Sequence, residues 1–383
     1  MDRRISLERG AALDALVLQW EELAARAIEP NPFYEHWMLR PALAFLGGGE
    51  VEILCVWLGA TLELLLPVLR LPAYRGLPLR AFSAWRHKHC LLGTPLVRSG
   101  CAPQALAALL DWMRKERAAS ILDLRYLIAG GPFHQALVEA LERRGTPCFA
   151  IDAYTRPLLK RDRDAAAYVA STLSGESRKK LRRSERRLCQ QGTLARRVLR
   201  PGDDAIGKWI DELLTLEASG WKGKRGSALA CSEANRRFAS EVFTRAFERG
   251  RLMMVGLDLD GRPIARYTAF AAGDGSFSFK TAYDEQLSRC SPGILAELEM
   301  IGAFHERAEL QWMDSFTAPG NSTLSWLWKD RCLVQHLAVG VGAAGELALA
   351  ALPLLQWAKR RWGQSICSVP KWVTLPVRPQ RAT

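Results

Sequence analysis

A Ser-Pro-Gly turn at residues 291–293 joins a strand-like segment to a helix-like one. The first amides of a helix have no partners within the helix and lie at the positive end of its dipole, so a turn of this kind can bind an anion. Lys280, Tyr283 and Asp284 come shortly before the turn. The sequence therefore predicts a phosphate-binding site with ionisable groups beside it, formed by Ser291, Pro292, Gly293 and Ile294.

Three strand-like segments precede this turn and must position it. They are Leu252 to Leu259, Pro263 to Ala272 and Ser276 to Tyr283. Asp260-Gly261 and Gly273-Asp274-Gly275 connect them with residues that tolerate positive φ, so we predict an antiparallel meander. A helical stripe of apolar residues follows the turn.

Alternation along the third predicted strand separates its side chains into two sets. Phe277, Phe279 and Tyr283 are expected on one face of the sheet. Lys280 and Asp284 are expected on the other. This pattern would place Lys280 in the site or, as is common for a strand lysine, toward solvent.

Five short motifs follow one another in the second half of the chain. They are R-K-K-L-R-R from Arg178, L-E-A-S-G-W-K-G from Leu216, K-T-A-Y-D-E from Lys280, S-P-G from Ser291 and W-M-D-S-F-T-A-P-G-N from Trp312. In this order they resemble the Gcn5-related N-acyltransferase (GNAT) superfamily, and within it the FemAB-like or CelD-like acetyltransferases. The resemblance covers roughly residues 168–333. In the N-terminal part, N-P-F from Asn31 and G-T-P-L-V from Gly93 are only suggestive.

The resemblance implies an α/β (α+β) protein of two tandem GNAT-like lobes, each a mixed, mostly antiparallel sheet flanked by helices. At 383 residues, 49% of them hydrophobic, the chain is long enough for two cores. The N-terminal half also repeats the helix and strand order of the second half. The expected domains are a degenerate lobe at 1–160, an acyltransferase lobe at 161–340 and a basic, tryptophan-containing tail at 341–383.

Acyl transfer in this family would place an acyl-CoA, expected to be acetyl-CoA, with its pyrophosphate at the predicted turn. An amine then attacks the thioester directly. Asp314 is the candidate base, although it can equally order its loop by binding nearby amides. Lys280 is a candidate for the oxyanion and Tyr283 for the leaving thiolate. The predicted acceptor-binding residues are Glu217, Trp221, Lys222 and Asp284.

The formal net charge is +13, and the densest block of cations lies between Arg178 and Arg187. Such a helix is either a solvated surface or a steering surface for a polyanion. The tail interleaves tryptophan with Lys and Arg, and can either pack on the second lobe or contact an anionic membrane. The start of the chain has no signal-peptide pattern, so we expect a cytoplasmic protein, with peripheral contact at the inner membrane face as an option.

The nine cysteines are scattered and include no Cys-x-x-Cys pair, so neither a disulfide framework nor a metal site is expected. The favoured function is acyl transfer from acyl-CoA to a small-molecule, carbohydrate or peptide amine in polysaccharide, envelope or natural-product biosynthesis. Two alternatives stay open. One is a FemAB-type aminoacyl transferase that uses charged tRNA, and the other is a non-catalytic accessory protein of polysaccharide or envelope assembly.

Overall fold

The computed structural model describes residues 2–203, 205–320 and 324–351. The strands are β1 (Arg3–Glu8), β2 (Glu52–Leu58), β3 (Thr61–Leu71), β4 (Ala81–Ala84), β5 (Leu96–Val97), β6 (Ile121–Ile128), β7 (Cys148–Lys160), β8 (Leu194–Val198), β9 (Leu252–Leu259), β10 (Arg262–Ala272), β11 (Gly275–Tyr283), β12 (Trp312–Asp314) and β13 (Asp330–Gly340). The helices are α1 (Val17–Ala25), α2 (His36–Phe45), α3 (Ala102–Lys115), α4 (Pro132–Glu142), α5 (Ala165–Thr172), α6 (Gly175–Cys189), α7 (Ile206–Ser219), α8 (Trp221–Lys224), α9 (Glu233–Glu248) and α10 (Pro292–Glu306). Residues 342–351 are also helical.

The chain divides into two units that are not continuous in sequence. The first comprises the described residues of Met1–Tyr34, Glu50–Thr155 and Leu333–Thr383, and the second those of Glu35–Gly49 and Arg156–Cys332. The division after Thr155 lies close to the predicted boundary at residue 160. The continuous ranges 1–160 and 161–340 nevertheless differ from these units, because α2 packs on α9 in the second unit and β13 pairs with β6 in the first. Of the predicted tail, residues 352–383 lie outside the described part.

In the first unit the strand order is β1-β2-β3-β4-β6-β13. Every neighbouring pair is antiparallel except β4 with β6, which is parallel. Helix α3 lies in the connection that a parallel pair requires. Its buried face carries Leu106, Leu109, Leu110 and Met113, which have the spacing of an amphipathic helix packed on a sheet.

In the second unit the order is β8-β9-β10-β11-β12, followed by the end of β7. The pairs are again antiparallel except one, β11 with β12, and α10 makes that connection. Asp260 and Gly261 at positive φ form the tight turn between β9 and β10, as the sequence predicts. Met300, Ile301 and Phe304 of α10 belong to the core of this unit.

The two units therefore repeat one pattern of pairing, and the predicted α/β class, with mixed and mostly antiparallel strand pairing flanked by helices, is confirmed. Polar caps fix where two helices of the second unit begin. Asp164 accepts from the Ala167 amide before α5, and Ser174 accepts from the Ser177 amide before α6. Within the described residues, no helix has the length and apolar character needed to cross a membrane.

Candidate active site

The parallel strands β11 and β12 separate after a short pairing, and the site lies where they part. Gly275–Phe277 pairs with Trp312–Asp314, after which the two chains diverge. A cavity of about 460 Å³ opens there. Its lining comes from β10, β11, α8, α10 and the loop after β12, and includes Trp221, Lys222, Tyr267, Ser278, Phe279, Thr281, Tyr283, Ser291, Gly293, Ile294, Glu297, Ser315 and Phe316.

The predicted phosphate turn forms one wall of this cavity. Ser291 adopts a left-handed conformation with φ of 53°, and Pro292 is the first residue of α10. Ser291, Gly293 and Ile294 line the cavity, whereas Pro292 is buried and is not part of the lining. The structure thus places the predicted helix start at a concave surface, where an anion can approach its amides.

Gly293 is packed against the ring of Tyr283, which is also a predicted site residue. A Cβ atom built on Gly293 would lie 2.9 Å from Cδ1 of Tyr283. Glycine therefore allows the strand and the helix start to approach closely. Tyr283 lines the cavity and can contact a ligand bound at the turn.

The predicted alternation along β11 is wrong because the strand contains a bulge. The register between β10 and β11 shifts between Thr268 and Ala269, which pair with Lys280 and Ser278 and leave Phe279 as the extra residue. The Thr268 hydroxyl accepts from the Lys280 amide at 3.1 Å and so stabilises this irregularity. The Lys280 ammonium consequently lies 5.4 Å from the centre of the Phe279 ring, on the side of α7.

Glu217, Lys222 and Lys280 form a charged cluster beside the cavity. Glu217 is buried and accepts from the Lys222 ammonium at 3.1 Å and from the Leu229 amide at 2.7 Å. Lys222 also donates to the Thr281 carbonyl at 3.0 Å, and the Lys280 ammonium lies 3.9 Å from Glu217. These contacts leave Lys222, with one further N–H group, at the cavity wall.

Trp221 is 47% exposed at the mouth of the cavity, and the Arg225 guanidinium lies 5.1 Å from its ring centre. Asp284, also predicted to bind substrate, has a different position. It caps the 3-10 turn Glu285–Cys290 by accepting from the Gln286 amide, and it pairs with Arg262 at 2.8 Å. The cavity lining does not include it, so its contacts favour a structural role.

Asp314, the candidate base, is held in a buried ion pair. Its Oδ2 atom lies 2.6 Å from the Arg156 guanidinium, and its Oδ1 atom accepts from the Phe316 amide at 2.9 Å. The Arg156 guanidinium also lies 5.2 Å from the centre of the Phe316 ring. Both carboxylate oxygens are used, which favours the alternative reading that Asp314 orders the loop after β12.

Glu297 is a cavity residue that the sequence reasoning missed. It lies one turn after Gly293 on α10 and is 2% exposed. Its Oε1 atom accepts from Trp328 at 3.0 Å and from the Tyr267 hydroxyl at 3.4 Å. A carboxyl group within the apolar stripe of a predicted helix, four residues after the glycine of the turn, was the available signal.

Burial has the largest effect on the pKa of Glu297. It raises the pKa of Glu297 to about 8, against the lowering effect of its hydrogen bonds from Tyr267 and Trp328. Burial, with the nearby Glu297 charge, also raises the pKa of Tyr267 well above its usual value. Tyr267 shares a hydrogen bond of 2.6 Å with the Ser278 hydroxyl. The cavity therefore contains a chain of groups able to hold a proton.

The basic block forms helix α6, whose Leu181 and Leu188 are buried while its cations face solvent. The exposed cations are Lys179, Lys180, Arg182, Arg183, Arg186 and Arg187. Gln191, just after the helix, lies against Cys290, the residue before the phosphate turn, at 3.7 Å. The end of α6 therefore lies beside the residue that precedes the predicted phosphate turn.

Residues 175–322 match the model of the acetyltransferase (GNAT) domain family. This stretch contains the cavity-lining strand β11, the phosphate turn and α10. No curated protein matches the sequence.

Two solved structures illustrate the similarity of fold. FemX is 10% identical, with a TM-score of 0.54 over 93% of this chain and 99% of its own. A conserved protein of unknown function from Bacteroides thetaiotaomicron VPI-5482 is 14% identical, with a TM-score of 0.53 over 88% of this chain and 100% of its own. The matched segment agrees with the resemblance to the GNAT superfamily that the motifs indicate and supports acyl or aminoacyl transfer, and the two solved structures show a shared fold.

Proposed function

We propose that this chain transfers an acyl group from acyl-CoA to an amine in the cavity of its second unit. The proposal rests on one observation, that three features meet in the same cavity. They are the point where β11 and β12 separate, the Ser291–Gly293 turn at the start of α10, and the buried, hydrogen-bonded carboxyl group of Glu297.

The turn supplies the expected site for the CoA pyrophosphate. The amides at the start of α10 and the close packing of Gly293 on Tyr283 would let phosphate oxygens approach the backbone. The acyl thioester would then extend along β11 toward Ser278, where the strands part. Tyr283 remains our candidate for protonating the leaving thiolate, because it lines the route between the turn and the strand edge.

The acceptor would enter on the side of α8. Trp221 offers an exposed ring there, and Lys222 offers an ammonium group held by Glu217 and Thr281. An acceptor that carries an acidic or carbohydrate group beside its amine suits this lining. Alignment of amine and thioester supplies much of the rate enhancement in such a direct transfer.

Helix α6 favours a second candidate, in which the donor is an aminoacyl-tRNA. Its exposed cations form a positive surface suited to a polyanion, on a helix whose end lies beside the residue before the turn. In that case the turn would receive the end of the tRNA in place of CoA. Contact of the basic tail with an anionic membrane remains a further proposal for the location of the chain.

Isothermal titration calorimetry with CoA tests the donor site. Gly293→Val pushes a side chain into the Tyr283 ring, so we expect CoA affinity to fall about tenfold or more, equivalent to about 1.4 kcal/mol or more. Gly302→Val is the matched control on the same helix, since a Cβ there meets nothing within 4 Å. CoA affinity in both variants equal to that of the unmodified chain would contradict the turn as donor site. Retention of charged tRNA without CoA binding would support the second candidate.

A further inference from the structure

The buried carboxylates around the cavity differ in how many of their oxygens are already bonded. Glu217 uses both, one for Lys222 and one for the Leu229 amide. Asp314 also uses both, for Arg156 and the Phe316 amide. In Glu297, the hydrogen bonds made by the described residues all end on Oε1. Within the described part of the chain, its Oε2 atom is therefore the carboxyl oxygen available to a ligand in the cavity.

We propose that Glu297 accepts the proton that the acceptor amine loses during acyl transfer, an assignment that rests on the proposed function. The amine nitrogen forms the C–N bond with the acyl carbon and gives one proton to Glu297. The C–S bond breaks, and its electron pair leaves on sulfur. The thiolate takes up one proton, so that an amide and a free thiol are the products.

The neighbours of Glu297 suit this role. Trp328 donates to Oε1 and fixes the orientation of the carboxyl group. The Tyr267 hydroxyl donates to Glu297 and shares a hydrogen bond with the hydroxyl of Ser278, which belongs to β11. Among the described residues, the charge of Glu297 raises the pKa of both Tyr267 and Tyr168.

The buried position of Glu297 also favours its role as a proton acceptor. Because burial raises the pKa of Glu297 to about 8, the carboxylate is a stronger base than an ordinary glutamate once it ionises. Activity should then rise with pH until the group is deprotonated. The matched group on the same helix is Glu299, whose Oε1 atom is paired with Arg196 at 2.7 Å.

The test compares Glu297→Gln with Glu299→Gln, using acetyl-CoA and a panel of primary amines (glucosamine, lysine and spermidine) with detection of released thiol. Glutamine keeps an acceptor for Trp328 but cannot take the proton. We expect kcat/KM to fall about 100-fold or more in Glu297→Gln, with the KM for acetyl-CoA within about threefold, and the acid limb of the pH profile to disappear. Glu299→Gln should retain both rate and profile.

A second readout does not depend on activity. The folded pKa of Glu297 lies above its ordinary value of 4.5, so the folded state binds this proton more tightly than the unfolded state. The group's effect is therefore a loss of stability as the pH rises from about 4.5 through about 8. Glu297→Gln should remove this loss, so its melting temperature relative to the unmodified chain should rise by several degrees between pH 5 and pH 9.

The outcomes separate the inference from the proposed function. Turnover by the unmodified chain together with an unchanged rate and pH profile in a folded Glu297→Gln variant overturns the role of Glu297 alone. Binding of acetyl-CoA without thiol release with any of these amines overturns the proposed function and this inference together. Loss of rate and of the acid limb in Glu297→Gln alone supports both.

Discussion

The two units share a pattern of strand pairing, but they differ at the gap beyond their parallel pair, which is the place where the two parallel strands part. In the first unit, Ala81–Ser83 pairs with Ile121–Asp123, and in the second, Gly275–Phe277 pairs with Trp312–Asp314. Each pairing ends on a buried aspartate. Beyond it, the first unit places its own chain at the edge of β6, where the Gly93 amide donates to the Tyr126 carbonyl. The second unit has a cavity at the corresponding place.

The segment that occupies the first gap is anchored by a buried asparagine. The Asn31 side chain donates to the Thr94 carbonyl at 2.7 Å and accepts from the Phe33 amide. These are the N-P-F and G-T-P-L-V motifs, which therefore bind each other. The chain itself thus occupies this place in the first unit, whereas a cavity lies at the corresponding place in the second.

The largest expected effect concerns the glycine in each gap. A Cβ on Gly93 would lie 2.1 Å from the Arg125 carbonyl oxygen, a backbone atom that cannot move alone, whereas a Cβ on Gly293 would meet a tyrosine ring that can turn. We expect Gly93→Ala to cost about 3 kcal/mol or more and Gly293→Ala about 1 kcal/mol or less. Melting temperature and hydrogen exchange of the β6 amides check this. Equal losses would break the comparison of filled and open gaps.

The next comparison is between Asp314 and Asp123, the aspartates at which the two parallel pairings end. Asp314→Asn leaves the fully buried Arg156 guanidinium without its carboxylate, so we expect a loss of about 3 to 5 kcal/mol. Asp123 also binds Tyr74 and Ser83, but its partners Arg125 and His336 are 42% and 17% exposed and can reach water. Asp123→Asn should therefore cost less, about 1 to 3 kcal/mol. Chemical denaturation measures both. A fully stable Asp314→Asn variant that has lost turnover would instead restore Asp314 as the base.

The smallest expected effect is at Lys280. Its ammonium lies farther from Glu217 than that of Lys222, and only Lys222 is among the lining residues of the cavity. Lys280→Met should change turnover with acetyl-CoA by less than about threefold, whereas Lys222→Met should raise the acceptor KM more strongly. Steady-state kinetics of both variants decide the point. A large fall in kcat for Lys280→Met would favour an oxyanion role.

Local signals in the sequence were enough to predict the meander, the helix start and the order of elements. Turn residues such as Asp260-Gly261, the Ser-Pro-Gly turn and the apolar spacings act over a few neighbouring positions. The bulge at Phe279 was not predictable, because it depends on the hydroxyl of Thr268 on another strand.

The other features that the sequence did not predict also depend on contacts between distant residues. The Arg156–Asp314 pair joins residues far apart in sequence, and only the folded chain brings them together. Glu297 looks like one polar position in an apolar helix until Tyr267 and Trp328 are seen to surround it. The ionic partners of a carboxylate, and the oxygens left unbonded, are properties of tertiary structure.

The position of β13 sets an order for folding during synthesis. The first unit needs residues 333–340 to pair with β6, so its sheet stays incomplete while the whole of the second unit, up to Cys332, is being translated. Domains usually fold from the N-terminus as they emerge from the ribosome. Here the unit whose chain starts first is completed last, and during that interval the strand Ile121–Ile128 keeps an edge that its own partner strand has not yet paired.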